Sequence, residues 1–228
     1  MKKPVFSTEL AYVLGLILMA IATAMMEAAN FGMSMVVAPA YLLHLHFSKA
    51  FPFFSFGMAE YMLQAGLLMV MMLILRRFRW GYLFSFVTAV LYGFTLDAAI
   101  ALLAPFVNGS MVQRVVFYVL GMVICSLGVS LFFHTYLSPE AYELFVKEVS
   151  SRCGMEIHRF KTIYDCVSCL VAIALSFLFF GLWRFEGVKL GTVFCALING
   201  SIIGWCTKIF EARFEFKDGL RLRSVFEK

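Results

Sequence analysis

The stretch SFVTAVLYG, Ser85 to Gly93, returns 107 residues later as TVFCALING, Thr192 to Gly200. Ser85, Thr88, Tyr92 and Gly93 align with Thr192, Cys195, Asn199 and Gly200, a stripe of small and polar groups repeated at helical spacing. Fainter echoes lie around it. FGMSM (Phe31 to Met35) matches LGVSL (Leu127 to Leu131) at an offset of 96, and PAYLL (Pro39 to Leu43) matches PEAYELF (Pro139 to Phe145) at an offset of 100. Glu60 falls near Asp165, each a short way into the next apolar run. The offset grows along the chain, as loop insertions would produce. Each half then reads as a span, a short proline-started helix, a span and a span. An odd number of crossings per half turns the second half upside down relative to the first, the inverted-repeat arrangement of many secondary transporters.

Composition places those runs in a membrane. Of 228 residues, 62% are hydrophobic and only 14% charged, with a mean hydropathy of +0.89; a soluble domain is about 45–50% apolar and about 25% charged. Six runs reach the roughly 20 residues that a crossing needs, at about 10–36, 53–75, 81–103, 113–136, 160–183 and 188–207. The fold expected is an all-α membrane protein: six transmembrane helices from two inverted three-helix repeats, each with a short extra helix. It forms a single membrane domain, with repeat one at about 8–104, repeat two at about 105–208 and a charged tail at 209–228. The start, MKKPVFSTELAYVLGLILMAIATA, reads as a retained first span rather than a cleaved signal, because the apolar run continues past Ala22 to Ala24.

Charge sets the orientation. With the N-terminus inside, fifteen of the nineteen basic residues fall on the inner side, and only Lys49, Arg114, Arg184 and Lys189 fall outside. Both termini are therefore expected in the cytoplasm. The net charge of +5 follows from this clustering and does not point to nucleic acid. Between the fourth and fifth spans, SPEAYELFVKEVSSR (Ser138 to Arg152) offers Ser138 as a cap, Pro139 at the first turn and Glu140 for the helix dipole. With Tyr142, Phe145, Val146 and Val149 on one face, it reads as an amphipathic helix lying at the inner interface.

The C-terminal half, SRCGMEIHRFKTIYDCVSCLVAIALSFLFFG (Ser151 to Gly181) followed by GVKLGTVFCALINGSIIG (Gly187 to Gly204), resembles the YczE/YitT-like family of bacterial integral membrane proteins. Gly154, Asp165, Gly191 and Thr192 fit that family's pattern, whereas Lys189 replaces the first glycine of its G-x-G-T entry to the last span. The resemblance covers roughly 28–207, consistent with a repeat architecture. It implies a multi-pass protein of the bacterial cytoplasmic membrane and names no substrate.

Ionisable groups inside a bilayer cost at least about 2.5–3.5 kcal/mol each and usually face a cavity or a partner. Thr23, Glu27, Asn30 and Ser34 recur at i, i+4, i+7 and i+11, so a continuous helix would carry them on one face. Glu27 sits either near the outer interface or, as the repeat suggests, about 12 Å deep. Glu60 shares a face with Gly57 and Gln64, and Asp165 with Ser168, Cys169, Ala172 and Ser176. Asp97 is expected at the outer surface. No Lys or Arg falls in the middle of any span, so the carboxylates are expected to hold protons or meet a cation. The candidate substrate-binding residues are Glu27, Asn30, Ser34, Glu60, Gln64, Tyr92, Asp165 and Asn199.

Other signals are weak. Cys166 and Cys169 form a C-x-x-C at the start of a membrane helix, where a redox role lacks an exposed electropositive setting. The six cysteines lie mostly within spans and imply no disulfide framework. His44, His46, His134 and His158 are dispersed, and no phosphate loop or nucleophile elbow is present. No cofactor, metal or enzymatic activity is expected. The leading expectation is a small transporter for a neutral or cationic solute, with proton coupling. Two others remain open: a substrate-capture subunit of a multi-component importer, and an accessory protein anchoring an enzyme through 138–161 and the tail. A homodimer is compatible with each.

Overall fold

The computed structural model describes residues 3–106, 109–182 and 186–220. Lys2, Asn108, Arg184, Arg221, Arg223 and Lys228, which entered the readings of loops and charge, lie outside the described residues, as does the side chain of His158.

Eight α-helices and two short strands follow in chain order among the described residues. They are β1 (Val5–Ser7), α1 (Thr8–Ala29), α2 (Ala38–Phe47), α3 (Phe56–Leu75), α4 (Trp80–Leu103), α5 (Met111–Phe133), α6 (Ala141–Cys153), α7 (Ile157–Phe180), α8 (Leu190–Arg213) and β2 (Glu215–Lys217). Six of the helices are long and apolar enough to cross a membrane, and α2 and α6 are short. Local chemistry sets the ends: Ser7, Ser55 and Ser110 accept from the backbone N–H groups of Leu10, Met58 and Gln113, capping α1, α3 and α5.

Two expected boundaries move. The first span does not run to residue 36; α1 stops at Ala29, where Asn30 turns left-handed at φ 55° and Gly32 follows at φ 106°. Asparagine and glycine are the residues that enter this region at least strain. The last helix runs six residues past the expected end, to Arg213. Its end meets the start of the chain: β2 pairs in parallel with β1, and the Glu9 carboxylate accepts from Tyr136 Oη and from the backbone N–H of Gly219 and Leu220. The first and last described elements therefore share one end of the bundle.

At the centre α1 lies along α5. A Cβ at Gly128 would come within 3.0 Å of Gly15 O, one at Gly121 within 3.0 Å of Ala22 O, and Arg114 Nε donates to Ala29 O. As one member of each pair rises in number the other falls in step, so the two helices run antiparallel. Around this pair α4 packs on α1 and α8 on α5; α3 packs on α4 and α7 on α8. Gly57 and Gly93 bring α3 and α4 together so closely that a Cβ on Gly57 would fall 2.3 Å from Gly93 O.

The short helices are the surprise. α6 runs beside α3 in the same direction: Gln64 Oε1 accepts from Ala141 N, and Arg152 donates to Leu75 O. Its first residue thus lies beside the ninth residue of α3, about 12 Å along at helical rise, and its end lies beside the end of α3. α2 lies against α7, with His46 stacked at 4.4 Å on Phe179 near the end of α7. The segments 30–37 and 134–140 therefore turn back into the protein before each short helix begins. The expectation that α6 lies flat at the inner interface is wrong. Its N-cap Glu140 and residues Ala141 to Leu144 are buried, because they fill the space between α3 and α7.

Candidate functional site

Where α6 begins, four carboxylates and one ammonium are buried together. Glu60 and Gln64 come from the fifth and ninth positions of α3, and Lys161 and Asp165 from the fifth and ninth positions of α7. One helical turn separates each pair, so both members face the same side. Glu140 is the N-cap of α6 and Glu143 lies in its first turn, with Tyr142 between them. All seven side chains are at least 97% buried.

Gln64 is the hub of one side. Its Nε2 donates to Glu140 Oε2 at 3.1 Å and more weakly to Glu60 Oε2 at 3.4 Å, and its Oε1 takes the otherwise free N–H of Ala141. Tyr142 Oη donates to Glu60 Oε2 at 2.9 Å. On the other side Lys161 Nζ lies 3.0 Å from Asp165 Oδ1 and 3.8 Å from Glu143 Oε1, over the ring of Tyr164. At that distance the Lys161 ammonium answers Asp165 Oδ1. Four carboxylate oxygens, Glu60 Oε1, Glu140 Oε1, Glu143 Oε2 and Asp165 Oδ2, have no hydrogen-bond partner. A buried acceptor left in that state costs on the order of 1–3 kcal/mol, more when charged, unless a proton, water or cation meets it.

Electrostatics acts in the same direction. Burial raises the Glu140 carboxyl well above the usual carboxylate range, and the neighbouring Glu143 and Glu60 add to the rise. Burial also raises Glu143, while the Lys161 ammonium pulls it back. Among the described residues no group of three or more His, Cys, Asp or Glu is arranged to hold a metal ion. His44 Nδ1 is engaged by Phe54 O and His46 by Phe179. The arrangement suits protons or an organic cation better than a bare metal.

Beside the cluster lies a small cavity of about 20 Å³, lined among others by Thr23, Ser34, Glu140, Glu143, Lys161 and Asn199. That is room for about one water molecule. Its walls come from α1, both inward-turning segments, α5, α6, α7 and α8. Two hydrogen bonds flank it: Thr23 Oγ1 with Tyr92 Oη at 2.8 Å, and Ser126 Oγ to Asn199 Oδ1 at 2.7 Å.

Six of the eight residues picked from sequence meet here: Ser34, Glu60, Gln64, Tyr92, Asp165 and Asn199. Two do not. Asn30 is exposed at the end of α1, where Lys189 Nζ donates to its side chain and backbone oxygens. Glu27 is half-buried in the last turn of α1, and the break at Asn30 removes the continuous face that was to link it to Ser34. Asp97 is not simply an outer-surface group, since it accepts from Ser55 Oγ and Gly57 N and ties α4 to the start of α3.

Glu140, Glu143 and Lys161 were missed, and the expectation of carboxylates without a built-in counter-ion is overturned by Lys161. Lys161, counted among the inner-side basic residues at the start of the fifth span, sits one turn before Asp165 on the same face, a signal the sequence carries. Glu143 is three and seven residues from Val146 and Ser150, a buried face that the surface reading of α6 had not included.

A model of a family of unknown function, DUF6198, matches residues 6–208. No curated protein sequence and no solved structure matches the chain.

Proposed function

The chain belongs to the DUF6198 family of unknown function, and we propose that it is a proton-coupled membrane transporter for a small neutral or cationic solute, built from two inverted halves. The observation that carries this reading is the buried cluster of Glu60, Glu140, Glu143 and Asp165 around the single Lys161, with unpartnered oxygens at the point where a short helix starts inside the bundle. Ionisable groups held inside a membrane protein mark ion and proton paths, and transporters place such sites where interrupted helices meet between repeats.

Several features support the inverted halves. The order long, short, long, long occurs twice. Exchanging α1 to α4 for α5 to α8 leaves the main packing partners in place, including α2 on α7 for α6 on α3. The antiparallel run of α1 and α5 is what a two-fold axis in the membrane plane requires. The hydrogen bond Thr23–Tyr92 has its counterpart in Ser126–Asn199, and Tyr92 and Asn199 are the pair aligned in sequence. The FGMSM and LGVSL match does not belong to this set, because Phe31 to Met35 follow α1 whereas Leu127 to Leu131 lie inside α5. Counting from the helix starts also pairs Glu60 with Lys161 and Gln64 with Asp165, in place of Glu60 with Asp165.

A relation to YczE/YitT-like proteins fits the roles of the residues that suggested it. Gly154 closes α6 at φ 65°, Asp165 sits in the cluster, and a Cβ on Gly191 would strike Phe31 O at 2.5 Å. Both termini in the cytoplasm accords with β1 and β2 sharing one end. The structure is then an occluded state, since a cavity of about 20 Å³ admits no solute much larger than water. Rocking of one half against the other would open it to each side in turn.

Proteoliposomes holding a pH-sensitive dye test the coupling. Challenged with a panel of amines, amino acids and sugars, the wild-type protein is expected to move protons with at least one solute class, and Glu60→Gln and Asp165→Asn to reduce that movement at least about tenfold. Proton movement equal in wild type and both variants, or none above protein-free liposomes, would count against the reading.

A further inference from the structure

α3 and α7 stand apart, and the gap between them is a cleft of about 540 Å³ that opens sideways through exposed Met62 and Val167. That volume lies in the usual range of small-molecule sites, about 300–1,000 Å³. In a membrane its mouth faces lipid. Its lining is almost wholly apolar except for Tyr142, Tyr164 and Ser168, which present aromatic and hydroxyl groups. Tyr142 lines both this cleft and the small central cavity, and its hydroxyl is bonded to Glu60. The same side chain thus touches both the lateral opening and a fully buried carboxylate whose second oxygen is unpartnered.

We propose that the cleft between α3 and α7 binds a hydrophobic organic cation drawn from the bilayer, whose charged head reaches Glu60 when Tyr142 turns aside. This rests on the transport reading of the cluster and names the substrate class. Charge selects the occupant. Four carboxylates face one ammonium, and that ammonium is already held by Asp165 and Glu143. An anion would meet the excess acidity, and an uncharged lipid chain would leave the Glu60 oxygen unanswered. Tyr142 adds a ring face that attracts a desolvated cation.

Gly66 offers a clean block. It lines the cleft, and a Cβ there meets nothing within 4 Å, so a phenylalanine can fill the opening without disturbing the backbone. Equilibrium dialysis with radiolabelled tetraphenylphosphonium and the protein in nanodiscs is the test. Saturable binding is expected, displaced by tetraphenylarsonium and not by uncharged tetraphenylmethane, and weakened at least about tenfold by Glu60→Gln and by Gly66→Phe. Gly66→Phe should keep the wild-type unfolding temperature, which separates a blocked cleft from a damaged fold. Absence of saturable binding, equal displacement by tetraphenylmethane, or binding unchanged in both variants overturns the proposal. So does efficient covalent dimerisation through Gly66→Cys, which would give the cleft to a second copy. If tetraphenylphosphonium fails to bind while the central cavity is reached from both membrane faces, the cleft assignment falls and the transport reading stands.

Discussion

Replacing Lys161 by methionine is expected to lower the unfolding temperature by roughly 6–20 °C, corresponding to about 3–5 kcal/mol for breaking a buried ion pair in a chain of this size. The methylene stem is kept, so packing changes little. The lost partner leaves Asp165 and Glu143 buried without the only ammonium in the cluster, 3.0 and 3.8 Å away. Removing one partner of a buried pair is far worse than removing both. The double variant Lys161→Met with Asp165→Asn should therefore recover most of the loss. Proton uptake by Glu143 offers a second relief. Without Lys161 the upward push of burial on its carboxyl loses its largest offset, so the penalty should be smallest in acid and deepest in alkaline solution. Thermal unfolding in detergent across pH, for the three proteins, checks all of this. A single variant as stable as wild type at alkaline pH would mean that Lys161 does not neutralise the cluster.

Replacing Glu140 by glutamine is expected to do the reverse. Glutamine keeps the shape and an acceptor for Gln64 Nε2, and removes a charge whose burial beside Glu143 and Glu60 is unfavourable. The sign follows from proton counts. The folded carboxyl is raised above its unfolded value of about 4.3, so between that pH and the raised value the folded chain holds more protons than the unfolded one. Stability from Glu140 is then greatest in acid and is lost as pH rises through this window. Wild-type unfolding temperature should fall between mildly acidic and mildly alkaline pH. Glu140→Gln should flatten that fall and be more stable at alkaline pH by on the order of 1–3 kcal/mol, the size of one relieved buried acceptor. A variant with the wild-type slope would show that another group carries the pH dependence.

Periodicity and composition made the six long apolar helices legible because a helix long and apolar enough to cross a membrane needs a length of apolar chain that few other structures use. Tyr92 and Asn199 were legible as a pair from the repeated stripe, and each is hydrogen-bonded beside the cavity, Tyr92 with Thr23 and Asn199 with Ser126. Depth was not legible. SPEAYELFVKEVSSR has the charge of a surface helix, and only its neighbours reveal that Glu140 and Glu143 meet Gln64 and Lys161 inside the bundle. The length of the apolar run and its polar stripe also made Phe31 to Ser34 a continuation of the first span, whereas Asn30 and Gly32 turn the chain so that Ser34 reaches the cavity from outside that helix. Glu27 was lost and Ser34 kept by the same turn.

The claim that this site is reached alternately from the two sides of the membrane can be measured without knowing the solute. Ser34 lines the central cavity and is 4% exposed. In a background with the six native cysteines replaced, Ser34→Cys in oriented membrane vesicles can be offered a membrane-impermeant thiol reagent from one face and then, in separate vesicles, from the other. Slow modification from both faces is the predicted result; a cysteine reached from one face alone, or from neither after prolonged exposure, would contradict it.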